Sequence, residues 1–427
     1  MAAAWPSGVF AKESDLVGAY NAAGFDLFKR LSGTSGNVAF SPYSVGTAMA
    51  MALSGARGAT EAEMAKVLRQ TLPRSTMADE NARVLAALND YDKSATPSCP
   101  TGMALSNGAC RGPKLKGESD CLPPTRAEGD HCVGPTVAVP SAKLAVANSL
   151  MLTKAGDKIS ADYIALLKSK FGAEVFRDAG LSDVNSWVKR KTEGKIEKIL
   201  EVLDPSAKAV LLNAVYFKAA WLSVFDKRST SDEDFNLAGA GKIRVPTMHR
   251  TGTYAVAMRP EFRAIRMPYV VPSLGMIIVV PEKTDGFSAF AAQFDAARLA
   301  GLRTALQSQR VELALPRFKI SSSFDLIPAF QAAGMKLAFS DKADFSGMTG
   351  RPVSEGSLKI GQIAHRAVVE VDETGTEAAA ATAIVMMPTA AMPSKLVSFK
   401  VDRPFLFYLV DDATGAILFQ GRINDPR

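Results

Sequence analysis

The chain has 427 residues, of which 47% are hydrophobic and 22% charged, which is enough apolar material for a large core and excludes a disordered chain. Its longest apolar run, GMIIVVP at 275–281, is far shorter than the roughly 18 residues that span a bilayer, so we expect no membrane partner. The net charge of +7 comes from scattered lysines and arginines without a dense basic run, which argues against a nucleic-acid partner.

The first third of the chain has the periodicity of amphipathic helices. After Ser14, the residues Leu16, Tyr20, Ala23 and Leu27 fall on one helical face. The pair Ser41-Pro42 is typical of a capped helix start. The predicted helices cover 14–31, 42–53, 60–70 and 79–91.

Residues 95–140 form a segment rich in Pro, Gly and Cys that lacks a hydrophobic stripe, and we interpret it as an insertion within one domain spanning residues 1–427. Cys99, Cys110, Cys121 and Cys132 recur at intervals of eleven residues. No C-x-x-C pair is present, although His131 adjoins Cys132, so two disulfides are favoured over a zinc site. Three pairings remain open, and such cysteines suit an extracellular or periplasmic location. No secretion signal is visible in MAAAWPSGVFAK.

The remaining two thirds of the chain alternate between strand and helix patterns. AVLLNAVYF at 209–217 is nearly continuous in apolar residues, which predicts a central strand covered on both faces. Further strands are predicted at 143–152, 254–258, 263–268, 275–280, 311–315 and in LVSFKV, FLFYLV and AILFQG near the end, and helices at 182–199, 287–300 and 323–334. Helices first and large sheets later indicate an α+β fold.

Catalytic signatures are missing from the sequence. The three histidines are His131, His249 and His365, and no nucleophile elbow, zinc-protease, Walker or dinucleotide motif occurs. His365 precedes the strand-like AVVEV, which favours a hydrogen-bonded structural histidine over a general base. We therefore expect a protein that is not an enzyme, with neither cofactor nor metal.

The segment DETGTEAAAATAIVMMPTAAMPSK, residues 372–395, places four alanines behind a Gly-Thr pair. As a strand, it would carry Thr376, Ala378, Ala380 and Thr382 on one small, uncharged face. Such a face can enter a sheet without overpacking the core or burying a charge. Gly375 supplies a pivot at its base, so the segment indicates a loop built to become a strand.

Seven segments of the chain, in this order, resemble successive motifs of the serpin family of protease inhibitors. They are NVAFSPYSV (37–45), NSWVKRKTEGKI (185–196), LLNAVYFKAAW (211–221), ALPRFKI (314–320), AHRAVVEVDETGTEAAAAT (364–382), FKVDRPFLF (399–407) and ILFQGR (417–422). Outside residues 95–140, the resemblance covers nearly the whole chain.

The resemblance implies a monomeric domain of three β-sheets and about nine helices, with an exposed reactive-centre loop at 373–398. A serine protease attacks this loop and forms a covalent acyl complex. The cut loop then inserts into the main sheet and distorts the trapped protease. Cysteine proteases are a further target class. The alternative is a non-inhibitory binding or carrier protein on the same scaffold.

The resemblance also assigns roles to individual residues. The hinge comprises Glu373, Gly375, Thr376, Glu377, Ala378, Ala379, Ala380, Ala381 and Thr382. The shutter, where the central strands part, comprises Ser41, Ser44, Asn213 and His365. The breach, at the top of the sheet, comprises Trp221 and Arg317, with Arg317 as a partner for Glu373.

Counting forward from Gly375 places the scissile bond between Thr389 and Ala390, whereas counting back from Phe399 gives a position near Pro393. We favour the hinge count, with cleavage after Ala390 or Ala391 as alternatives. Pro388 before the small Thr389 suits an elastase-like or subtilisin-like protease. Cleavage after Met387 or Met392 would put proline directly beyond the bond, which proteases resist.

Overall fold

The computed structural model describes residues 13–31, 36–92, 104–106, 109–113, 126–128, 131–134, 142–153, 159–204, 207–239, 241–355, 358–376 and 396–427. Within these ranges the α-helices are Asp15–Leu31 (α1), Pro42–Gly55 (α2), Gly58–Val67 (α3), Arg74–Asn89 (α4), Ala161–Phe171 (α5), Leu181–Lys191 (α6), Phe287–Ala292 (α7), Ala296–Ala305 (α8), Ile327–Ala332 (α9) and Ser346–Thr349 (α10). None of the helices in this part of the chain is long and apolar enough to cross a membrane.

The strands in the first half of the described residues are Val38–Phe40 (β1), Ala104–Ser106 (β2), Ala109–Pro113 (β3), Arg126–Glu128 (β4), His131–Gly134 (β5), Ala142–Leu152 (β6), Glu174–Arg177 (β7), Ala209–Ala220 (β8) and Ser231–Asn236 (β9). Those in the second half are Lys242–Met258 (β10), Phe262–Pro268 (β11), Leu274–Pro281 (β12), Gln307–Pro316 (β13), Phe318–Asp325 (β14), Ile360–Val371 (β15), Gly375–Thr376 (β16), Val397–Lys400 (β17), Phe405–Asp411 (β18) and Ile417–Ile423 (β19).

The strands of the described residues form three sheets. A six-stranded sheet has the order β14-β15-β16-β8-β6-β7, with β15 also paired directly to β8. A nine-stranded sheet follows the path β1-β19-β18-β12-β11-β10-β13-β17, with β9 added beside β10. The short strands β2 to β5 form a separate four-stranded sheet. The ten α-helices and three sheets within the described ranges confirm the α+β class.

Helix α2 lies at the centre of the core. Ser41 begins it, since its hydroxyl accepts a hydrogen bond from the Ser44 amide at 3.1 Å and Pro42 occupies the first turn. Almost every residue of α2 is buried, in one cluster with residues of both large sheets. The helix has no charged residue on any face, because it packs against other elements on every side.

Strand β8 is buried along almost its full length, which confirms the central strand predicted at 209–217. Leu211 and Val215 face the cluster that contains α2. Val210 and Leu212 face a second cluster built around Trp187 of α6. The alternation of a strand therefore supplies two hydrophobic faces, and both are covered.

Several predicted elements differ from the observed ones. The helix predicted at 182–199 ends at Lys191, since the chain turns at Glu193, whose φ of 52° is left-handed, and at Gly194. The helix predicted at 287–300 is instead two helices: α7 ends at Ala292, and α8 begins at Ala296 after its capping residue Asp295. The helix predicted at 323–334 is shorter, because strand β14 runs to Asp325. Helix α5 was not predicted.

The segment 95–140 holds more regular structure than its composition predicted. Strands β2 to β5 lie within it and pair antiparallel. Cys132 of β5 is buried, and the side chains of Cys99, Cys110 and Cys121 lie outside the described part of the chain. The pairing of the four cysteines therefore stays a prediction.

Candidate functional site

The line between β8 and β15, here called the seam, divides the six-stranded sheet into two parts. Along most of the seam the two strands run parallel and pair directly, from Ile360 opposite Ala209 to Val368 opposite Tyr216. Above this, Gly375 and Thr376 form β16, which lies between the two strands and runs antiparallel to both. The two strands are thus paired directly at the end of the seam near Ile360, here called its lower end. At the other end, near Val371, the short strand β16 separates them.

Gly375 fits this place because it has no side chain. A Cβ added to it would lie 2.1 Å from the carbonyl oxygen of Ala219 and 2.7 Å from the Cα of Ala220. Thr376 beside it is fully buried, and its hydroxyl lies 2.6 Å from the hydroxyl of Tyr269. Gly375 and Thr376, near the start of the loop predicted at 373–398, are therefore paired in the sheet, and the extent of the loop stays a prediction.

Trp221 fastens the turn that leads into β16. Its backbone amide donates to the carbonyl of Thr374 at 2.9 Å, and its indole Nε1 donates to the carbonyl of Asp372 at 3.0 Å. The indole stacks on the ring of Tyr269 at 4.5 Å between centroids. The Asp372 carboxylate accepts from the amides of Thr374 and Gly375, which completes the turn.

Glu373 is the buried charge of this region. Its side chain is 2% exposed, while that of Arg317, whose Nε donates to its carboxylate at 2.8 Å, is 43% exposed. Burial acts to raise the pKa of the Glu373 carboxyl, but hydrogen bonds from Arg317 and Thr230 outweigh it, so the pKa lies below its ordinary value. The carboxylate therefore stays charged and bonds the base of the loop to the side chains of Arg317 and Thr230.

A second buried polar cluster crosses the closed part of the seam. His365 of β15 and Asn213 of β8 are register partners, and Asn148 of β6 is the next partner along. His365 Nδ1 lies 2.5 Å from Asn213 Oδ1, and Asn213 Nδ2 donates to the carbonyl of Ser44 at 2.9 Å and to Asn148 Oδ1. The amide of Ser41 donates to His365 Nε2 at 3.3 Å.

These contacts fix the proton of His365. Since Nε2 accepts the Ser41 amide, the proton is on Nδ1 and is donated to Asn213. Burial lowers the pKa of His365 to about 3, so the ring is neutral at physiological pH. Its edge-to-face contact with Phe40, at 5.1 Å between centroids, completes its enclosure.

The structure brings the predicted shutter residues Ser41, Ser44, Asn213 and His365 into one cluster, and it places Trp221 and Arg317 at the top of the same sheet. Their roles in sheet opening stay predictions. The hinge residues Glu377, Ala378, Ala379, Ala380, Ala381 and Thr382 and the predicted bond between Thr389 and Ala390 lie outside the described residues.

Three further residues of the site were not predicted. Asn148 completes the His365 cluster, Tyr269 bonds to Thr376, and Thr230 bonds to Glu373. A signal existed only for Asn148, a lone amide in the apolar strand KLAVANSLML. Tyr269 and Thr230 reach the site through tertiary packing, which local sequence does not encode.

The three histidines lie on three different strands. His131 is exposed on β5, His249 of β10 lies 2.9 Å from the Glu233 carboxylate, and His365 is enclosed. Within the described ranges no three His, Cys, Asp or Glu side chains are grouped as a metal site.

The neutral state of His365 links stability to pH. Because the unfolded chain binds a proton near pH 6.5 and the folded chain only near pH 3, the contribution of His365 is complete above pH 6.5 and is lost as the pH falls. Between pH 6.5 and about pH 3, we expect this group to lower the free energy of unfolding by about 1.4 kcal/mol for each unit that the pH falls. Urea unfolding of the wild type and His365→Gln should show that the gap in stability between them narrows below pH 6.5. If the difference in unfolding free energy between the two proteins stays constant down to pH 4.5, the neutral state of His365 in the folded chain is contradicted.

Gly375→Ala should drive β16 out of the sheet, because the new Cβ meets backbone atoms that cannot move aside. We expect amide exchange in residues 217–221 and 372–376 to accelerate by about tenfold or more, the change that ~1.4 kcal/mol of local destabilisation gives. Hydrogen-exchange mass spectrometry measures it.

Gly301→Ala in α8 is the matched control, since nothing lies within 4 Å of a Cβ built there. It should leave exchange at β16 unchanged. Equal exchange in Gly375→Ala and the wild type would show that β16 is not seated as described.

The chain is similar in sequence and in fold to known proteins. The family model described as serpin (serine protease inhibitor) matches residues 18–113 and 129–426. An uncharacterized serpin-like protein of Thermococcus kodakarensis is 33% identical over 425 residues, covering 97% of this chain and 87% of that protein. Iripin-2 of Ixodes ricinus is 32% identical over 426 residues, covering 97% and 94% respectively.

The crystal structure of the thermophilic serpin tengpin in the native state matches with a TM-score of 0.77 at 25% identity, covering 97% of this chain and 95% of that chain. The family match leaves out residues 114–128, which lie inside the predicted insertion. From its sequence and its fold, the chain belongs to the serpin family.

Proposed function

We propose that the protein is an inhibitory serpin, a suicide substrate that traps serine proteases covalently. The observation that carries this proposal is the position of Gly375 and Thr376, which are already paired between β15 and β8 in the uncut chain. A strand that extends β16 downward would run antiparallel to both neighbours. The pairing of these two residues therefore supports entry of the loop at this point of the sheet.

The register of β16 supports insertion of the residues that follow it. Continued from Thr376, it places Thr382 level with Asn213 and His365, and Ala381 level with Ala214. Side chains at even positions would face the core, as Thr376 does, and odd positions would face the opposite side. From Thr376 to Thr382, the side chains that would face the core are all small and uncharged.

The chemistry of trapping belongs to the protease. Its serine hydroxyl attacks the carbonyl carbon of Thr389, and the amide bond to Ala390 breaks. The serine proton passes to the protease histidine and then to the leaving amine of Ala390, which leaves an ester between Thr389 and the protease. Insertion of the cut loop competes with hydrolysis of this ester by water. The inhibitor supplies conformational energy, and no catalytic group of its own is required.

We propose elastase-like or subtilisin-like serine proteases as targets, with cysteine proteases as a second class, because Thr389 is small and follows Pro388. The compartment is proposed to be extracellular or periplasmic, where the disulfide of Cys132 is stable. The alternative of a non-inhibitory binding protein is less favoured, since the hinge sequence Thr376–Thr382 has one charged residue and no proline.

Pancreatic elastase or subtilisin mixed with the protein should give a complex that survives boiling in detergent. Mass spectrometry should identify a released fragment that begins at Ala390. Thr376→Arg should be cleaved without trapping, because Thr376 is fully buried and an ion there would lose its hydration.

Thr304→Arg is the matched control, since Thr304 is exposed on α8 and the same change there should leave trapping intact. If no member of a serine- and cysteine-protease panel is trapped by the wild type, inhibition is wrong. A rise in melting temperature after the loop is nicked would still identify insertion, and its absence would favour the binding protein.

A further inference from the structure

A cavity of about 570 Å³ lies between α1, α3 and the end of α9. The residues of α1 that line it are three or four positions apart and so share one face of the helix; they are Ala23, Asp26, Leu27 and Arg30. Cavities of this size are typical of sites for small organic ligands. None of the described residues that line it belongs to β8, β15 or β16, so the cavity is separate from the seam.

The buried part of the cavity lining is apolar. Ala23 and Leu27 of α1 are buried, and Val67 of α3 is partly buried and packs against the main core cluster. Ala333, which follows α9, is also partly buried where it lines the cavity. A hydrocarbon group placed here would be removed from water, which favours its binding.

Two carboxylates line the cavity, and both already accept hydrogen bonds from the protein. Asp26 accepts from Nε and Nη2 of Arg69, at 2.8 and 2.6 Å. Glu63 accepts from the backbone amides of Lys336 and Leu337, at 2.5 and 2.6 Å. Both carboxylates therefore have donors within the chain and do not need a bound cation.

Arg69 occupies a position at the end of α3 where glycine is usual. Its φ of 55° is left-handed, and the amide of Gln70 beyond it donates to the carbonyl of Ala65 at 2.8 Å. A glycine would adopt this conformation without strain. The two bonds from Arg69 to Asp26 offset the strain and tie the end of α3 to α1 beside the cavity.

Two cations of the lining have hydrogen-bond donors to spare. The Arg30 side chain donates one bond, to the carbonyl of Asp26 at 2.7 Å, and has no carboxylate partner among the described residues. Within the same part of the chain, the Lys66 ammonium has neither an ion-pair nor a hydrogen-bond partner. Both residues lie in the last turn of a helix, where a cation offsets the partial negative charge of the helix end. That role requires no hydrogen bond, so their N–H groups stay available to a ligand.

We propose that this cavity binds a small organic anion, a carboxylate attached to a short hydrocarbon body. The carboxylate accepts hydrogen bonds from Arg30 and Lys66, and the hydrocarbon lies on the apolar wall that contains Leu27. With Arg69 included, the lining has three cations and two carboxylates, a formal charge of +1, which complements a single negative charge. This inference goes beyond the proposed inhibition of proteases and does not depend on it.

Decanoate, used below its micelle-forming concentration, is the probe for the first test. Isothermal titration calorimetry with the full chain should show one saturable site. Acetate lacks the hydrocarbon body and decyltrimethylammonium carries the opposite charge, so neither should bind at the same concentration. Binding of acetate as tight as that of decanoate would overturn the role of the apolar wall, and equal binding of decyltrimethylammonium would overturn the role of the cations.

The second test removes the two cations. Arg30→Gln combined with Lys66→Gln should raise the Kd for decanoate by about tenfold or more, because charge-assisted hydrogen bonds to the carboxylate are lost. Arg83→Gln combined with Lys168→Gln is the matched control, since both residues are exposed and lie outside the cavity. This control lowers the net charge equally and should leave the Kd within about twofold of the wild type.

The third test fills the cavity without changing any charge. Ala62 of α3 is exposed and lines the cavity, so Ala62→Phe should abolish decanoate binding while the chain stays folded by circular dichroism. Ala59→Phe is the matched control, because Ala59 is exposed on the same helix but is not part of the lining. The proposal is overturned if the wild type shows no decanoate site, or if all four variants bind decanoate like the wild type. In that case Arg30 and Lys66 act only as helix-end cations.

Discussion

The direct pairing of β8 with β15 is the interaction on which the rest of this molecule depends. It joins two parallel strands in the middle of a sheet whose neighbouring pairs β14–β15 and β6–β8 are antiparallel. Parallel pairing is slightly less stable per residue than antiparallel pairing. A strand placed between β8 and β15 would replace one parallel ladder by two antiparallel ones, and each added bond contributes about 1 kcal/mol net. Under the proposed mechanism, the sheet with the inserted strand would therefore be more stable than the closed seam.

A seam of this kind persists because opening it exposes groups that the closed sheet satisfies. The neutral ring of His365 and the amide of Asn213 are each less than 2% exposed and bond to one another across the seam. Separating them without a new partner leaves buried polar groups unpaired, at a cost of about 1–3 kcal/mol each. A hydroxyl at position 382 would supply such a partner only after the strand is fully in place. The barrier thus precedes the gain, which is the condition for kinetic stability.

Sequence predicted the parts of this arrangement that depend on local pattern. The apolar run of β8, the capped start of α2 and the small residues after Gly375 are all legible in a single chain. The Pro/Gly/Cys composition of 95–140 gave no indication of four strands, because strands of three to five residues carry too little periodicity. Burial of Glu373 was not predicted either, since a charged residue is expected in solvent unless its partners are known. The resemblance had named Arg317 as a partner for Glu373, whereas Thr230 is distant in sequence and meets it only in the fold.

Two adjacent residues of β15 connect these observations. Neighbouring side chains on a strand point to opposite faces, so His365 faces the core and α2 while Arg366 faces residues 192–204, the segment that follows α6. One bonds across the seam to Asn213 beneath the sheet, and the other bonds across it to Lys198 above. The two bonds therefore lie on opposite faces of the sheet, five and six residues along β15 from Val371, which pairs with Thr376. In the proposed insertion, a strand that continues β16 would reach the levels of Arg366 and His365 at positions 381 and 382, where the bond between His365 and Asn213 would have to break.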